Sequence, residues 1–392
     1  MNEDKATRFH RLRRRAVVLT ACWTVLLLAW LLASGASAAL RSAAQGRLHA
    51  WLPASLLTPA VAAWCGFAIA LIHEVGALPF AFFTGFVLER RFGLSRQSAV
   101  EWMKDHAKAL GLGFLFLPAA AAFVYATLVL WPEGWWVIVA GGTVLVSGIL
   151  AWLAPVVLLP LFFKAAPLQN AALRQRLTDM ATRAGVPVTE IYEWRLSDRT
   201  SRANAALTGF GRTRRILMSD TLLAEYSEDE IEAVLAHELA HHVHHDVWRA
   251  LVFEAVVAAA GLWTSARVFA VAVPWLGLGG AADVAGLPLL ALTVMTVSFI
   301  ALPVANAFSR WQERRADRFA LEITRNPDAF ISAMRRLAAR NLAEDDPSPF
   351  ARIFFYTHPP VGDRLAYAKR WALRQARQTG RRGTSPSARP ST

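Results

Sequence analysis

Six long apolar stretches decide what this chain can fold into. They run roughly over residues 16–39, 60–88, 107–131, 135–162, 248–276 and 285–309. Crossing the hydrocarbon core of a bilayer as a helix takes about 20 apolar residues, and each stretch is long enough. Lipid offers no partner for backbone N–H and C=O groups, so such runs must satisfy themselves as helices. Composition agrees: 55% of residues are apolar, 18% are charged, and there are fifteen Trp. That balance is too oily for a soluble domain, and Trp favours the membrane–water boundary. The first stretch follows a basic arm and ends in Ala-Ser-Gly-Ala-Ser-Ala-Ala, as a signal peptide does. Its apolar run exceeds the ~7–15 residues of a signal core, so a retained span is expected.

The formal charge of +13 invites a nucleic-acid reading, but its placement argues against one. Basic residues sit at the ends of apolar stretches, in the N-terminal arm (Arg8, Arg11, Arg13, Arg14, Arg15) and in the tail after Asp363. No basic surface interleaved with aromatics is visible, so nucleic acid is not expected as a partner. The charges instead set topology and attract anionic lipid. If the arm is cytoplasmic, the loop 89–108 lies on the same side with Arg90, Arg91, Arg96, Lys104 and Lys108. The opposite side receives 132–134 and 276–283, which have no basic residue, and only Arg41 and Arg47 fall there. Residues 164–247 and 310–392 then face the cytoplasm. The expectation is a multi-pass protein of the cell inner membrane if bacterial, or of the endoplasmic reticulum if eukaryotic. Cys22 and Cys65 both lie in apolar stretches, which predicts neither a disulfide framework nor a cysteine-built metal site.

The expected organisation follows. Residues 1–15 form a basic arm, 16–163 a membrane part of four spans, 164–247 a cytoplasmic part, 248–309 two further spans, 310–377 a second cytoplasmic part, and 378–392 a disordered tail rich in Arg, Gly, Ser and Pro. Within 164–247, residues 167–184 read as an amphipathic helix. Short β-like runs follow at 190–196, 204–209 and 215–219. Ser227 with Glu230 three residues on is a capping box, and the helix it starts is expected to run through Asp246.

That helix carries His237-Glu238-Leu239-Ala240-His241. Two histidines four apart share one helical face, so both imidazoles can reach a single metal ion. Glu238, rotated about 100° from His237, stays near the metal and can take a proton from the attacking water. A catalytic zinc needs three protein ligands and one open position. A third His six residues after the second is excluded, because that position is Val247. A later helix supplies the alternative in Ser309-Arg310-Trp311-Gln312-Glu313-Arg314-Arg315-Ala316-Asp317. Glu313 can ligate, and Asp317, on the same face, can accept a hydrogen bond from a ligand imidazole. His242, His244 and His245 have two readings: residues that tune the metal or add ligands, or, as favoured here, polar residues where the helix meets the membrane surface. His73-Glu74 imitates the start of the motif, but position 77 is Ala. That pair is expected to face a cavity rather than lipid.

Beyond this motif, residues from about Leu78 to Leu365 resemble the type I CAAX prenyl proteases, multi-spanning zinc endopeptidases, with HtpX-type quality-control proteases more distant. The likeness is carried by Leu78-Pro79-Phe80, Phe86 through Glu89, Phe92-Gly93, Ala154-Pro155, Pro160-Leu161-Phe162 and Pro167-Leu168. It continues through Arg202-Ala203-Asn204-Ala205, Gly209, Arg215-Ile216, Ser219 through Leu223, and His358-Pro359-Pro360 with Arg364. The resemblance implies one zinc ion per chain on His237, His241 and Glu313, with Glu238 as general base. It implies that Asn204 and Ala205 line the substrate groove, and that His358 and Arg364 contact substrate or the developing oxyanion. The fold class expected is mainly α and integral to the membrane. Six spans would form an intramembrane chamber, beside a cytoplasmic gluzincin-like zinc protease domain with a small β-sheet. Eukaryotic members of the family have seven spans, and six are counted here, with a short Ala-rich connection near 40–59.

The activity implied is hydrolysis of peptide bonds, with a peptide or protein partner that can carry a lipid. CAAX processing and quality control of membrane proteins are the two readings. A metal-binding transporter is the rival of another class. It predicts ligands on several spans, and only His73-Glu74 offers any.

Overall fold

The computed structural model describes residues 4–153, 157, 161, 163–208 and 214–383, with side chains to residue 378. Helices α1 (Lys5–Ala33), α2 (Ala36–Leu48), α3 (Ala54–Arg91), α4 (Ala99–Leu130) and α5 (Trp135–Leu153) come first. Then follow β1 (Ala165–Pro167), α6 (Ala171–Arg183), β2 (Glu190–Trp194), β3 (Ala205–Thr208), β4 (Arg215–Ser219), α7 (Asp220–Glu225) and α8 (Glu228–Val243). The chain continues with α9 (Asp246–Trp275), α10 (Leu287–Thr324), α11 (Pro327–Asn341), α12 (Pro349–Phe355) and α13 (Val361–Gly383). Apart from the first seven residues, one compact unit takes Arg8–Leu158 and Trp248–Pro303, and the other takes Leu159–Val247 and Val304–Thr392.

The first unit holds the apolar helices. Six helices of the described residues are long and apolar enough to span a membrane: α1, α3, α4, α5, α9 and α10 with the turn before it. Only 11–22% of the residues in their most apolar windows are buried. Leu26, Val75, Leu145, Val271 and Ile300 are exposed. In water that surface would drive aggregation; in lipid it is the solvated face. The core joins Val61, Ala62 and Cys65 of α3 to Ala121, Tyr125 and Leu128 of α4 and Phe269 of α9. Small residues allow this approach, as expected for helices in lipid. At Gly76 a side chain would run into the Trp23 ring, whose Nε1 donates to the His73 carbonyl at 3.0 Å.

Two differences from the sequence reading concern helix ends. The basic arm is already helical, since α1 starts at Lys5. Gly35, at φ 73°, then ends one helix and starts α2. The Ala-rich connection thus contains a 13-residue helix, too short to span. The two basic residues of α2, Arg41 and Arg47, are both engaged. Arg41 NH1 lies 2.7 Å from both Asp283 carboxylate oxygens, and the Arg47 guanidinium sits over the Trp64 ring.

The second unit is built on a four-stranded sheet in the order β1-β2-β4-β3. β2 and β4 are parallel; β1 and β3 add antiparallel at the two edges. The expected runs at 190–196, 204–209 and 215–219 contain β2, β3 and β4, but β1 has no counterpart among them, and its Pro167 falls at the expected start of the helix 167–184. The helix instead begins after Asn170, whose side chain accepts from the Leu173 N–H. One face of the sheet packs on α6, α8, α10 and α11 through Leu177, Met180, Ile191, Ile216, Met218, Leu235, Leu321 and Phe330. Ala233, Ala236 and Ala240 of α8 are fully buried, so the helix that bears the motif lies deep in this core. The expected disordered tail is partly helical, because α13 continues to Gly383; residues 384–392 lie outside the described residues.

Candidate active site

The motif helix starts where the capping box predicts. Ser227 Oγ accepts from the Glu230 N–H, and the Glu230 carboxylate accepts from the Ser227 N–H at 2.8 Å. The helix ends earlier than expected. α8 stops at Val243, His244 caps it, and His245 takes φ 54°. Asp246 therefore opens α9 instead of closing α8, and the reversal brings its side chain back beside the motif.

His237, His241 and Glu313 converge. One ligand atom from each lies within 4.8 Å of the others. His237 Nε2 is 3.2 Å from Glu313 Oε2, and His241 Nε2 is 3.6 Å from Glu313 Oε1. Zinc bonds of about 2.0–2.1 Å at tetrahedral angles place two ligand atoms ~3.3 Å apart, so the donor spacing fits. Glu313 Oε2 is buried and has no hydrogen-bond partner, a cost that a bound cation would remove.

The opposite ring nitrogens are also matched. His237 Nδ1 is 3.0 Å from Asp317 Oδ1, and His241 Nδ1 is 3.0 Å from Asp246 Oδ2. Each imidazole thus donates its Nδ1 proton to a buried carboxylate and turns Nε2 toward Glu313. The sequence reading found Asp317 but missed Asp246. Residues 242–248 contain no Gly or Pro to mark the helix break, and without the break Asp246 points elsewhere. Gln312 Nε2 donates to the Asp246 carbonyl at 3.1 Å, and Arg315 NH1 lies 3.5 Å from Asp246 Oδ1. The same turn of α10 that supplies Glu313 therefore holds the start of α9.

Electrostatics favour a cation here. Burial works against a charged His237, but Asp317 and Glu313 outweigh it and push its pKa up to about 10. Burial also pushes the Glu238 carboxyl up, against the pull of His237 and His241. That moves it toward the range useful to a general base near neutral pH.

Arg364, expected at the substrate or the developing oxyanion, is engaged with Asp317. Its Nε and NH2 donate to Asp317 at 2.9 and 2.5 Å, and NH2 lies 3.4 Å from His237 Nδ1. A guanidinium this buried needs a carboxylate, and Asp317 provides it. Through Nε and NH2, Arg364 therefore holds the residue that orients His237. His358 stands on the open side. Its side chain is 61% exposed, with Nε2 3.3 Å from Glu313 Oε1.

Asn204 and Ala205 stand at the start of the edge strand β3, which packs on the motif helix. Ser219 Oγ accepts from the Asn204 N–H, and the Asn204 carbonyl accepts from the Ser219 N–H, both at 2.9 Å. Asn341 brackets Ala203 with two hydrogen bonds of 3.2 Å. The backbone is fastened while the Asn204 side chain is exposed. His242 Nε2 lies 3.3 Å from the Leu207 carbonyl and ties β3 to the motif helix. His73 and Glu74 make separate contacts, to Thr24 Oγ1 at 2.9 Å and His106 Nε2 at 2.8 Å. Neither belongs to a metal-ligand cluster among the described residues.

Residues 167–372 match the profile of peptidase family M48, and residues 3–164 match one described as CAAX prenyl protease N-terminal, five membrane helices. In that N-terminal region the described residues hold four helices able to span, plus the short α2. A Bacillus subtilis protein named as the uncharacterized metalloprotease YhfN is 30% identical over 308 residues, 78% of this chain and 72% of its own. A rice CAAX prenyl protease 1 homolog is 28% identical over 75% of this chain and 69% of its own. The crystal structure of Ste24p from S. mikatae superposes with a TM-score of 0.79 at 20% identity, covering 93% of this chain and 88% of that one; this likeness concerns the fold. With more than half its length matching the family and a bacterial relative at 30% identity, the chain belongs to peptidase family M48 and is a multi-pass membrane metalloendopeptidase.

Proposed function

We propose that the chain is a zinc endopeptidase with its active site on the cytoplasmic side, cutting near the C-terminus of lipidated, CAAX-type substrates. The observation that carries the zinc reading is the spacing of Glu313 from the two Nε2 atoms, 3.2 and 3.6 Å, with both Nδ1 atoms held by carboxylates. When bound, zinc supplies Lewis acidity, polarising the scissile carbonyl and acidifying water. His237, His241 and Glu313 hold it, and Asp317 and Asp246 keep the two rings turned.

Glu238 takes a proton from the attacking water as its oxygen bonds to the scissile carbon. It then passes that proton to the amine as the C–N bond breaks. His358, on the open side of Glu313, donates to the carbonyl oxygen as negative charge develops there. The substrate backbone adds to the sheet along β3. Because the Asn204 carbonyl bonds inward to Ser219, strand alternation turns the N–H and C=O of Ala205 outward for that pairing. The six spans enclose a chamber that admits the lipid, and the polar pairs Glu74–His106 and Ser147–Glu254 are the kind of intramembrane group that faces such a space.

Incubating the purified chain with a farnesylated CAAX peptide, its unfarnesylated twin and an unmodified membrane protein tests this reading. Release of the C-terminal tripeptide from the farnesylated peptide alone is expected. Cleavage of the unmodified membrane protein, with the farnesylated peptide left intact, would replace the lipid-directed reading with one of quality control.

A further inference from the structure

A second site lies on the far side of Asp317. A cavity of about 490 Å³ is lined by Trp311, Arg314 and Arg318 of α10, Arg352 of α12, and Tyr367 and Arg370 of α13, among others. Its wall holds six arginines and two aspartates. Both aspartates are committed within it: Asp317 to Arg364, and Asp363 to Arg352. Arg318 pairs with Glu322 at 2.8 Å. Arg314 and Arg370 are exposed and have no carboxylate partner among the described residues. The cavity therefore offers guanidinium groups beside two aromatic rings, a combination suited to a phosphate diester.

Its level along α10 points to the source of that phosphate. The apolar run of this helix ends at Phe308, and the Trp311 ring, 42% exposed, stacks on the Phe308 ring. Arg314 follows less than one turn later, where headgroups begin. α12 is fixed at the same level: Asn306 Nδ2 donates to the Ile353 carbonyl at 2.9 Å, and Arg310 NH1 to the Arg352 carbonyl at 2.9 Å. That short helix leaves Phe350 and Ile353, three residues apart on one side, exposed, while Arg352 lines the cavity. An apolar face beside a cationic cavity is how an interfacial helix meets lipid. We infer that this cavity binds the phosphate headgroup of an anionic phospholipid, with Arg314 and Arg370 as its principal cations and α12 resting among the acyl chains. This cavity backs onto the Asp317–Arg364 pair that holds His237, but its proposed cations, Arg314 and Arg370, touch neither, and it does not depend on the substrate proposed above.

The test uses the full-length chain in a neutral detergent, mixed with equal amounts of dioleoylphosphatidylglycerol and dioleoylphosphatidylcholine. Retained lipid is read by native mass spectrometry. Wild type is expected to hold the anionic lipid in preference to the zwitterionic one. Each of Arg314→Gln and Arg370→Gln should weaken that preference roughly fivefold, and the pair about twenty-five-fold, with the thermal midpoint unchanged. The single variants keep the test readable if the double variant does not fold. Equal retention of the two lipids by wild type overturns the inference, as does undiminished preference in folded variants. Equal retention of inorganic phosphate and of the anionic lipid at the same concentration also overturns it, because the acyl chains resting on α12 would then add nothing.

Discussion

Asp246 and Asp317 perform the same task for two imidazoles, although they come from different helices and only one of them stands out in the sequence. Each accepts from a ligand Nδ1 at 3.0 Å. Removing such a partner typically costs 10–100-fold in metal affinity. Asp246→Ala is therefore expected to weaken zinc binding about 10–100-fold in competition with a chelator, and Asp246→Asn, which keeps an acceptor oxygen, to weaken it less. Equal affinities for wild type and Asp246→Ala would remove Asp246 from the site. Arg364 acts through Asp317 in this account. Arg364→Ala and Asp317→Ala should then be strongly non-additive in zinc affinity, as residues in one network are. Glu238→Gln should lower turnover by at least ~10²-fold, the lower range for a general base, while zinc content stays at one per chain. The pattern of residues made Glu238, His237 and His241 legible, because four-residue spacing on a helix is a local property. Asp246 was not legible, because its position depends on a left-handed residue at His245 that no Gly or Pro announces.

At the scale of elements, the motif helix is anchored through its first turn. Glu230 is buried and accepts from the Ser227 N–H, from Ser332 Oγ at 2.6 Å and from Arg336 NH1 at 3.1 Å. Burial alone would raise its pKa, but these donors outweigh it and hold the carboxyl below the ordinary range. A depressed folded pKa contributes stability that is fully present above the unfolded value of about 4.3 and is lost as the pH falls from there through the lower folded value. Glu230→Gln should destabilise the fold by about 2 kcal/mol at neutral pH. The difference should shrink below the ordinary Glu range, as followed by thermal unfolding in detergent. A difference that stays constant with pH would mean the carboxylate charge plays no part. The capping box, β2, β3 and β4 could be read from local pattern. β1 could not: three residues, Ala165–Pro167, become a strand only by pairing with β2, which is a tertiary event.

For the whole molecule, the distribution of basic residues and the covering of Arg41 by Asp283 support one topology. In a background of Cys22→Ser and Cys65→Ser, Glu133→Cys is expected to react with a membrane-impermeant maleimide on intact cells. Arg174→Cys should react only after permeabilisation; the reverse pattern would invert the orientation. Span number was legible because hydropathy over about 20 residues needs no tertiary knowledge. Convergence of Glu313 with a helix more than seventy residues earlier was an expectation from chemistry and resemblance, since no local pattern encodes it. That convergence is what the account rests on, and zinc K-edge absorption of the purified full-length chain tests it most directly. The account predicts one zinc per chain with two imidazole nitrogens at about 2.0–2.1 Å and oxygen in the remaining positions, and loss of the ion in Glu313→Ala. Full zinc occupancy with an unchanged spectrum in Glu313→Ala would contradict it.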